Sequence, residues 1–321
     1  MSPIVSVVIP LYNKEKWIER TLSSVLNQSF TDWEAIIVDD GSTDCSVEVV
    51  EKFIQKNPGN WVLIKNHNAG QCRTRNSGIA KAKGEFVAFL DADDIWSRNK
   101  LFDQVELLKN NSEVSLVISP YIIFSDTNQH KHHRLVLHKN PEKLLNRWLR
   151  MQGYGAGTES TGMTRTSLLR EIGGFDEELL SSAGLYLTIE LANRGRVVFS
   201  NRSLMAYRIH TGQWHSNAAA TKILSRDMSA LSARSLEIMG KAPAALSSWH
   251  KAYFDITETR KQGRLLRSLF SGNIFSKKFL VRMMLALNIL SRNMTSRIRG
   301  KFAKQICKFP TEDFQEFIAS F

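Results

Sequence analysis

The feature that most constrains this chain is an alternation. Short β-branched apolar runs and stretches of helical periodicity take turns from Val5 to Asp94. The apolar runs are Val5 to Ile9, Ala35 to Val38, Trp61 to Ile64 and Phe86 to Leu90. Between them, Trp17 to Leu26 carries Trp17, Ile18, Leu22, Val25 and Leu26 on one side, Val47 to Ile54 resumes that spacing, and Thr74 to Lys83 repeats it before Gly84 stops it. Strands separated by helices predict an α/β fold: a mostly parallel sheet with right-handed crossovers and flanking helices. A further helix, Leu101 to Leu108, and a strand, Leu116 to Ile118, follow; His130 to His138 reads as a polar loop, and past Ala220 the pattern is helical with no strand signal.

In open sheets of this kind ligands bind beyond the carboxyl ends of the strands. Those ends are acidic here. Pro10 is followed by Tyr12 and Asn13, Val38 by Asp39 and Asp40, and Leu90 by Asp91, Asp93 and Asp94. Several like charges in one cleft need a positive partner, and a bound cation is the simplest. Asp91 and Asp93, one residue apart, offer the hard oxygen ligands that Mn²⁺ or Mg²⁺ prefer while leaving coordination positions for diphosphate oxygens. Neither of the glycine fingerprints of dehydrogenases and P-loop enzymes follows a strand, and the first strand runs into Pro10, Leu11 and Tyr12 rather than the glycine-rich basic loop of a nucleotidyltransferase.

The runs Val7 to Asn13, Val38 to Asp44, Asn68 to Gly84 and Phe86 to Asp94 resemble, in order and spacing, the signature blocks of family 2 glycosyltransferases. The resemblance implies a GT-A fold, Rossmann-like, and transfer of a sugar from a nucleotide sugar, UDP-linked and with inversion, onto a glycan or lipid-linked acceptor of the cell envelope. It further implies that Pro10, Tyr12, Asn13, Asp40, Arg73, Asn76 and Asp91 form the nucleotide site, with Tyr12 packed on the base and Asp40 accepting from its ring nitrogen, and that Asp91 and Asp93 meet the metal. Later segments are similar as well. Gly173 to Glu177 resembles a Gly-Gly-Phe-Asp-Glu block, Leu187 to Gly195 the helix that follows it, and Tyr207 to His210 a Tyr-Arg-x-His block, which brings Arg208 to the diphosphate and His210 to the metal or to a structural role.

One position departs from the family. Where its members carry a Glu-Asp pair whose Asp serves as general base, this chain has Ala183 and Gly184. Neither takes a proton. Three explanations stand open: Glu177, Glu178 or Glu159 substitutes from a neighbouring loop, the local register shifts, or the chain is a weakened or inactive relative that only binds nucleotide sugar or glycan.

Composition divides the chain. A hydrophobic fraction of 43% with 23% charged residues belongs to a globular protein, and three cysteines without a paired CxxC argue against a disulfide framework or zinc site and for a reducing cytosol. No charged leader precedes Ile4, and the most apolar late stretch, Phe279 to Leu290, holds Arg282 and Asn288 and is too short to span a bilayer. The formal charge is +12, and from Lys222 onward 18 Lys and Arg face 7 Asp and Glu, so the excess sits in the tail. The expected division is a GT-A domain over 1–220, with a nucleotide half of about 1–100 and an acceptor half of about 101–220, and a helical basic region over 221–321. Met283, Met284, Leu287, Leu290, Met294, Ile298 and Phe302 recur at helical spacing among cations. Such a helix over 277–308 either lies on an anionic membrane surface, which would place a cytoplasmic protein on the inner face of the membrane, or packs on the catalytic domain. Nucleic acid is disfavoured, since no reading motif or interleaved aromatics accompany the charge.

Overall fold

The computed structural model describes residues 2–125, 133–135, 159–180, 182–200 and 202–210, with Asp227 and Arg234 as single residues. All but Arg234 belong to one compact unit, Met1–Leu231. The expected tail helix, its membrane-binding stretch 277–308 and most of the segment between Pro120 and Ser160 lie outside the described residues.

The elements follow the chain as β1 (Val5–Leu11), α1 (Ile18–Leu26), β2 (Trp33–Asp39), α2 (Ser46–Lys56), β3 (Trp61–Lys65), α3 (Gln71–Lys81), β4 (Phe86–Phe89), β5 (Ile95–Trp96), α4 (Lys100–Lys109), β6 (Val114–Ile118), β7 (Tyr121–Ser125), β8 (His133–Leu135), a 3₁₀ turn (Glu159–Thr161), β9 (Gly162–Arg165), α5 (Thr166–Ile172), α6 (Ala183–Arg194), β10 (Arg196–Phe199) and β11 (Met205–Ile209). Seven strands form the main sheet in the order β10-β6-β9-β4-β1-β2-β3. β1 pairs parallel with β2 and β4, and β2 parallel with β3; β9 runs antiparallel between β4 and β6. All strands but β9 therefore share one direction, and the mostly parallel sheet expected from the sequence is what forms.

Helices on both faces explain the composition of the central strands. Every residue of β1 and β2 is buried, so the strands read as continuous apolar runs rather than alternating ones. α1 turns Ile18, Leu22 and Val25 into the core. Gly84 is required by a close approach: a Cβ there would stand 2.6 Å from the backbone nitrogen of Ser6, so only glycine lets the chain pass across β1 into β4. Pro10 is tolerated in this central strand because it lies past the last β1–β4 pair, Val8↔Phe89.

A second sheet, β5-β11-β7-β8, had no counterpart in the sequence reading. β11 pairs parallel with β7 and antiparallel with β5. The expectation of a polar loop over His130 to His138 is corrected in part. His133–Leu135 is a strand, paired antiparallel with Tyr121–Ile123, because a partner edge rather than local pattern makes it one. Among the described residues no helix is long and apolar enough to cross a membrane.

Candidate active site

The parallel block β4-β1-β2-β3 delivers three loops to one rim, and those after β1 and β2 are stitched together. Asn13 takes a positive φ of 52°, which lets its side-chain oxygen accept from the Thr43 N–H at 2.8 Å while its own N–H donates to Ser42 Oγ at 3.0 Å. The Lys14 N–H donates to Ser46 Oγ at 2.7 Å. Asp39 accepts from the N–H groups of Gly41 and Ser42, and Asp40 from those of Ala69 and Gly70 at 2.8 and 3.1 Å, just before α3 begins. Tyr12, at the head of this junction, is 44% exposed and presents an open ring.

The loop after β4 carries the acids. Asp93 Oδ2 accepts from Lys14 Nζ at 2.6 Å and lies 2.9 Å from His210 Nε2. The His210 ring stacks on Trp17, with centroids 3.9 Å apart. Asp91 Oδ1 accepts from Arg75 Nη2 at 2.7 Å. Asp94, wholly buried, accepts from the Ser160 hydroxyl at 2.7 Å and from the Arg208 N–H at 3.2 Å, while Arg208 Nε donates to the Asp93 carbonyl at 2.8 Å. Arg208 is buried, its guanidinium 4.7 Å from the Phe124 ring centroid. β11 of the small sheet is thus bonded directly to the acidic loop of the large one.

The three aspartates titrate differently because their surroundings differ. Burial opposes charge on Asp93, but Lys14 beside it and hydrogen bonds from Lys14 and His210 outweigh that and hold its carboxyl below the ordinary range. Burial pushes Asp91 up despite Arg75, and the charges of Glu159 and Asp93 add to the rise. Asp94 is pushed well above its usual value, by burial first and then by the charges of Asp93 and Asp91. Arg75 loses solvation in the interior, yet Asp91 and Glu159 raise its pKa further.

Of the residues singled out from sequence, Asp91, Asp93, Arg208 and His210 meet in one hydrogen-bonded cluster, and Pro10, Tyr12, Asn13 and Asp40 occupy the adjoining loops. Arg73 and Asn76 point elsewhere. Arg73 pairs with Glu177 at 2.7 Å on the surface, and Asn76 clamps both the N–H and the carbonyl of Phe175, at 2.7 and 2.9 Å. The Glu178 N–H donates to Asp176 Oδ1. Glu159, on the 3₁₀ turn, lies 3.8 Å from Arg75.

Sequence reasoning missed Lys14, Arg75 and Ser160, and it counted Asp94 among the acids of the rim without giving it a role. Arg75 left a signal. Cys72, Ile79 and Ala82 form the buried stripe of α3 and its end, and Arg75 falls on that stripe, where a cation requires a buried anion. Lys14 left none, since a loop lysine looks like any solvated one.

A divalent cation is tested by the donors present. Asp93 and His210 stand side by side with a carboxylate oxygen and an imidazole nitrogen 2.9 Å apart, and the Lys14 ammonium on that same oxygen marks a place that accepts positive charge. Among the described residues no group of three His, Cys, Asp or Glu side chains could enclose an ion. Mg²⁺ and Mn²⁺ need fewer protein ligands when phosphate and water complete the shell, so the donor set fits such an ion.

A mostly parallel α/β sheet with an acidic loop beyond the carboxyl ends of its strands defines a ligand-binding α/β class, and comparison with known proteins specifies the family. The chain belongs to glycosyl transferase family 2, whose pattern matches residues 6–173, a little over half of its length. The putative teichuronic acid biosynthesis glycosyltransferase TuaG of Bacillus subtilis is 41% identical over 110 residues, 34% of this chain and 44% of that protein. The Escherichia coli protein WfgD, a UDP-Glc:alpha-D-GlcNAc-diphosphoundecaprenol beta-1,3-glucosyltransferase, is 38% identical over 125 residues, 38% of this chain and 47% of that protein. The chain spans less than half the length of these curated relatives. Among solved structures, S. aureus TarS 1–349 in complex with UDP superposes with a TM-score of 0.60 at 24% identity, covering 83% of this chain and 75% of that one. The mannosyltransferase PcManGT from Pyrobaculum calidifontis, in complex with GDP-Man and Mn²⁺, gives 0.60 at 19%, covering 90% and 86%. These likenesses show the fold, which is of GT-A type.

Proposed function

We propose that this protein transfers a sugar from a nucleoside diphosphate donor, UDP-linked, to a hydroxyl of a glycan or lipid-linked glycan in the synthesis of a cell-surface polysaccharide. The observation that carries the reading is the cluster Lys14–Asp93–His210 at the carboxyl ends of β1 and β4, beside the open ring of Tyr12. The names of TuaG and WfgD support the polysaccharide role, and the UDP held by TarS supports the nucleotide.

In this reading Tyr12 stacks on the base and Asp40 reads its edge from the neighbouring loop, while Asp93 and His210 would hold Mn²⁺ or Mg²⁺ with phosphate and water completing the shell and Asp91 held on Arg75. When bound, such an ion supplies neutralisation of the charge that develops on the departing diphosphate. The chain's own part is to fix these groups before the donor arrives. Arg75 orients Asp91, and Arg208, donating to the Asp93 carbonyl, sets the loop against β11. Displacement at the anomeric carbon is direct and inverts its configuration.

The test is a donor panel read by thermal shift with Mn²⁺, followed by nucleoside diphosphate release. A donor that binds only the folded protein raises its Tm. Asp93→Asn should then lower release by about 10²- to 10³-fold. If no nucleotide sugar stabilises the wild type, glycosyl transfer falls; if a donor stabilises it and no product forms with any acceptor, the chain is a binding relative. The basic stretch 277–308 would hold the protein to the inner face of an anionic membrane, and unchanged co-sedimentation with anionic liposomes after its deletion would exclude that location.

A further inference from the structure

We propose that Glu159 is the base that takes the proton from the acceptor hydroxyl, and that Gly184 exists to make room for it. The assignment rests on the glycosyl-transfer reading above. A hydroxyl that attacks an anomeric carbon must lose its proton to a group at the edge of the donor site, and that group needs lone pairs not already committed.

Most acids near this rim are committed. Asp91 is on Arg75, Asp93 on Lys14 and His210, and Asp94 is buried on Ser160 and Arg208. Glu177 is on Arg73, and Glu190, further along α6, is held by Tyr186 and Arg194. Glu159 differs. Its side chain is 27% exposed, and Arg75, its counter-ion among the described residues, stands at 3.8 Å, beyond hydrogen-bonding range. Because Arg75 Nη2 also bonds Asp91, the Glu159 carboxylate sits at the acidic loop itself.

Its backbone is pinned. Ser160, the next residue, donates through its hydroxyl to Asp94 at 2.7 Å, accepts there from the Asp91 N–H at 3.0 Å, and accepts at its carbonyl from Trp96 Nε1 at 2.8 Å. The Thr161 carbonyl accepts from Gln104 Nε2 at 2.8 Å. A base needs this kind of support, since small displacements from reacting geometry cost much of its effect.

The second observation is the fit with α6. A Cβ added to Gly184 would land within the Glu159 carboxylate, 2.7 Å from its Cδ. Gly184 is in the first turn of α6 and does not have a positive φ, so the backbone does not ask for glycine, and a helix with glycine there is less stable than one with alanine by about 1 kcal/mol. The space at 184 is what the residue provides. The first turn of α6 brings no acid of its own, and Glu159 puts a carboxylate where a side chain of that turn would otherwise be.

The step balances as a direct displacement. The acceptor O–H proton passes to a Glu159 carboxylate oxygen, the acceptor oxygen bonds to the anomeric carbon, and the bond from that carbon to the diphosphate oxygen breaks, its electron pair leaving with the nucleoside diphosphate. Protonated Glu159 then gives its proton to water.

The experiment uses the full chain, Mn²⁺, and UDP-glucose and UDP-N-acetylglucosamine as probes, with UDP release to water as the acceptor hydroxyl. Glu159→Gln keeps shape and loses basicity. It should release UDP about 10²- to 10⁴-fold more slowly while keeping the donor-induced rise in Tm of the wild type. The double variant Glu159→Ala with Gly184→Asp moves the carboxylate across to α6, into space the first change vacates, and should recover to within about tenfold of wild type. A Glu159→Gln protein within about threefold of wild type, one that loses the donor-induced Tm shift, or a double variant no faster than Glu159→Ala alone overturns the assignment. The donor-induced shift of the wild type reports on glycosyl transfer as such, and the differences among these variants on the base.

Discussion

The two sheets of this molecule are held together by different forces. In the large sheet β1 and β2 are buried along their whole length, and one face of it supplies Val5, Val7, Ile9, Leu11, Ala35 and Ile37 to an apolar core. The small sheet reaches the same core through Trp96, Tyr121 and Met205 and adds a second kind of contact. β11 starts in that core with Met205 but ends in Ile209 at 44% exposure, and there its hold on the acidic loop is polar: Arg208 to Asp94 and to the Asp93 carbonyl, and His210 to Asp93. Apolar burial is non-directional and tolerates small losses, whereas a buried hydrogen-bonded charge fails when one partner goes. The contrast places the site on the brittle side. Its cluster is also the joint between the sheets, so chemistry and local architecture share residues.

The sharpest way to break this contrast is Arg208→Ala. The change strips a buried cation from over Phe124 and leaves the Asp93 carbonyl without its guanidinium donor. Removing one partner from a buried charged network costs about 3–5 kcal/mol, and urea unfolding should show it. A loss no larger than that of an ordinary core truncation would mean the polar joint is not what holds β11. Ile37→Val supplies the ordinary truncation. Ile37 is fully buried in the main sheet, and deleting one methylene there should cost about 0.5–1.5 kcal/mol by the same measurement.

The same contrast explains what could be read from the chain alone. β1, β2 and β4 were legible because strands covered on both faces must be apolar throughout, β3, an edge strand with no buried residue, by its aromatic and β-branched run, and helical spacing between them leaves one topology. β5 has two residues, and β9, Gly162–Arg165, mixes glycine, threonine and arginine; neither carries a pattern, because their pairing partners come from distant sequence. At the site, Asp91 and Asp93 were legible as acids at the end of a strand. His210 was reached only through family likeness, since its place beside Asp93 depends on a sheet the sequence does not announce. On α3 the expectation fell on Arg73, which is exposed, while Arg75 bonds Asp91. Burial, not charge, separates the two, and the apolar stripe through Cys72 and Ile79 indicated which arginine faces inward.

The rim loops of the large sheet are polar as well, and a pH experiment there sharpens the contrast. Asp44 is half-buried. Burial raises its pKa, but the Ser46 hydroxyl and the N–H groups of Glu15 and Ser46 outweigh that, so the carboxyl lies below its usual 3.8. A depressed folded value means the charge contributes stability above the unfolded pKa, and this contribution is lost as pH falls through the folded value. Asp44→Asn should therefore have a lower Tm than wild type at pH 6, and the gap should close below about pH 4. An equal gap at both pH values would show that the side chain acts through shape and not charge.

The smallest effect is expected at the outermost edge of the same sheet. Lys65 on β3 bonds Glu51 on α2 at 2.6 Å, a shorter contact than many at the active site. Both side chains are more than half exposed, so water already screens the charges, and holding two long side chains in one arrangement offsets what attraction remains. The hydrogen bond that Lys65 donates to Glu51 raises the Lys65 pKa, yet the ammonium is ionised in solution as well, and no buried group is stranded when it is removed. Lys65→Ala should leave Tm within about 1 °C of wild type at moderate salt. A fall comparable to that of Ile37→Val would show that short polar contacts stabilise the large sheet even at its wet margin, and the distinction between an apolar platform and a polar joint would then rest on Arg208 alone.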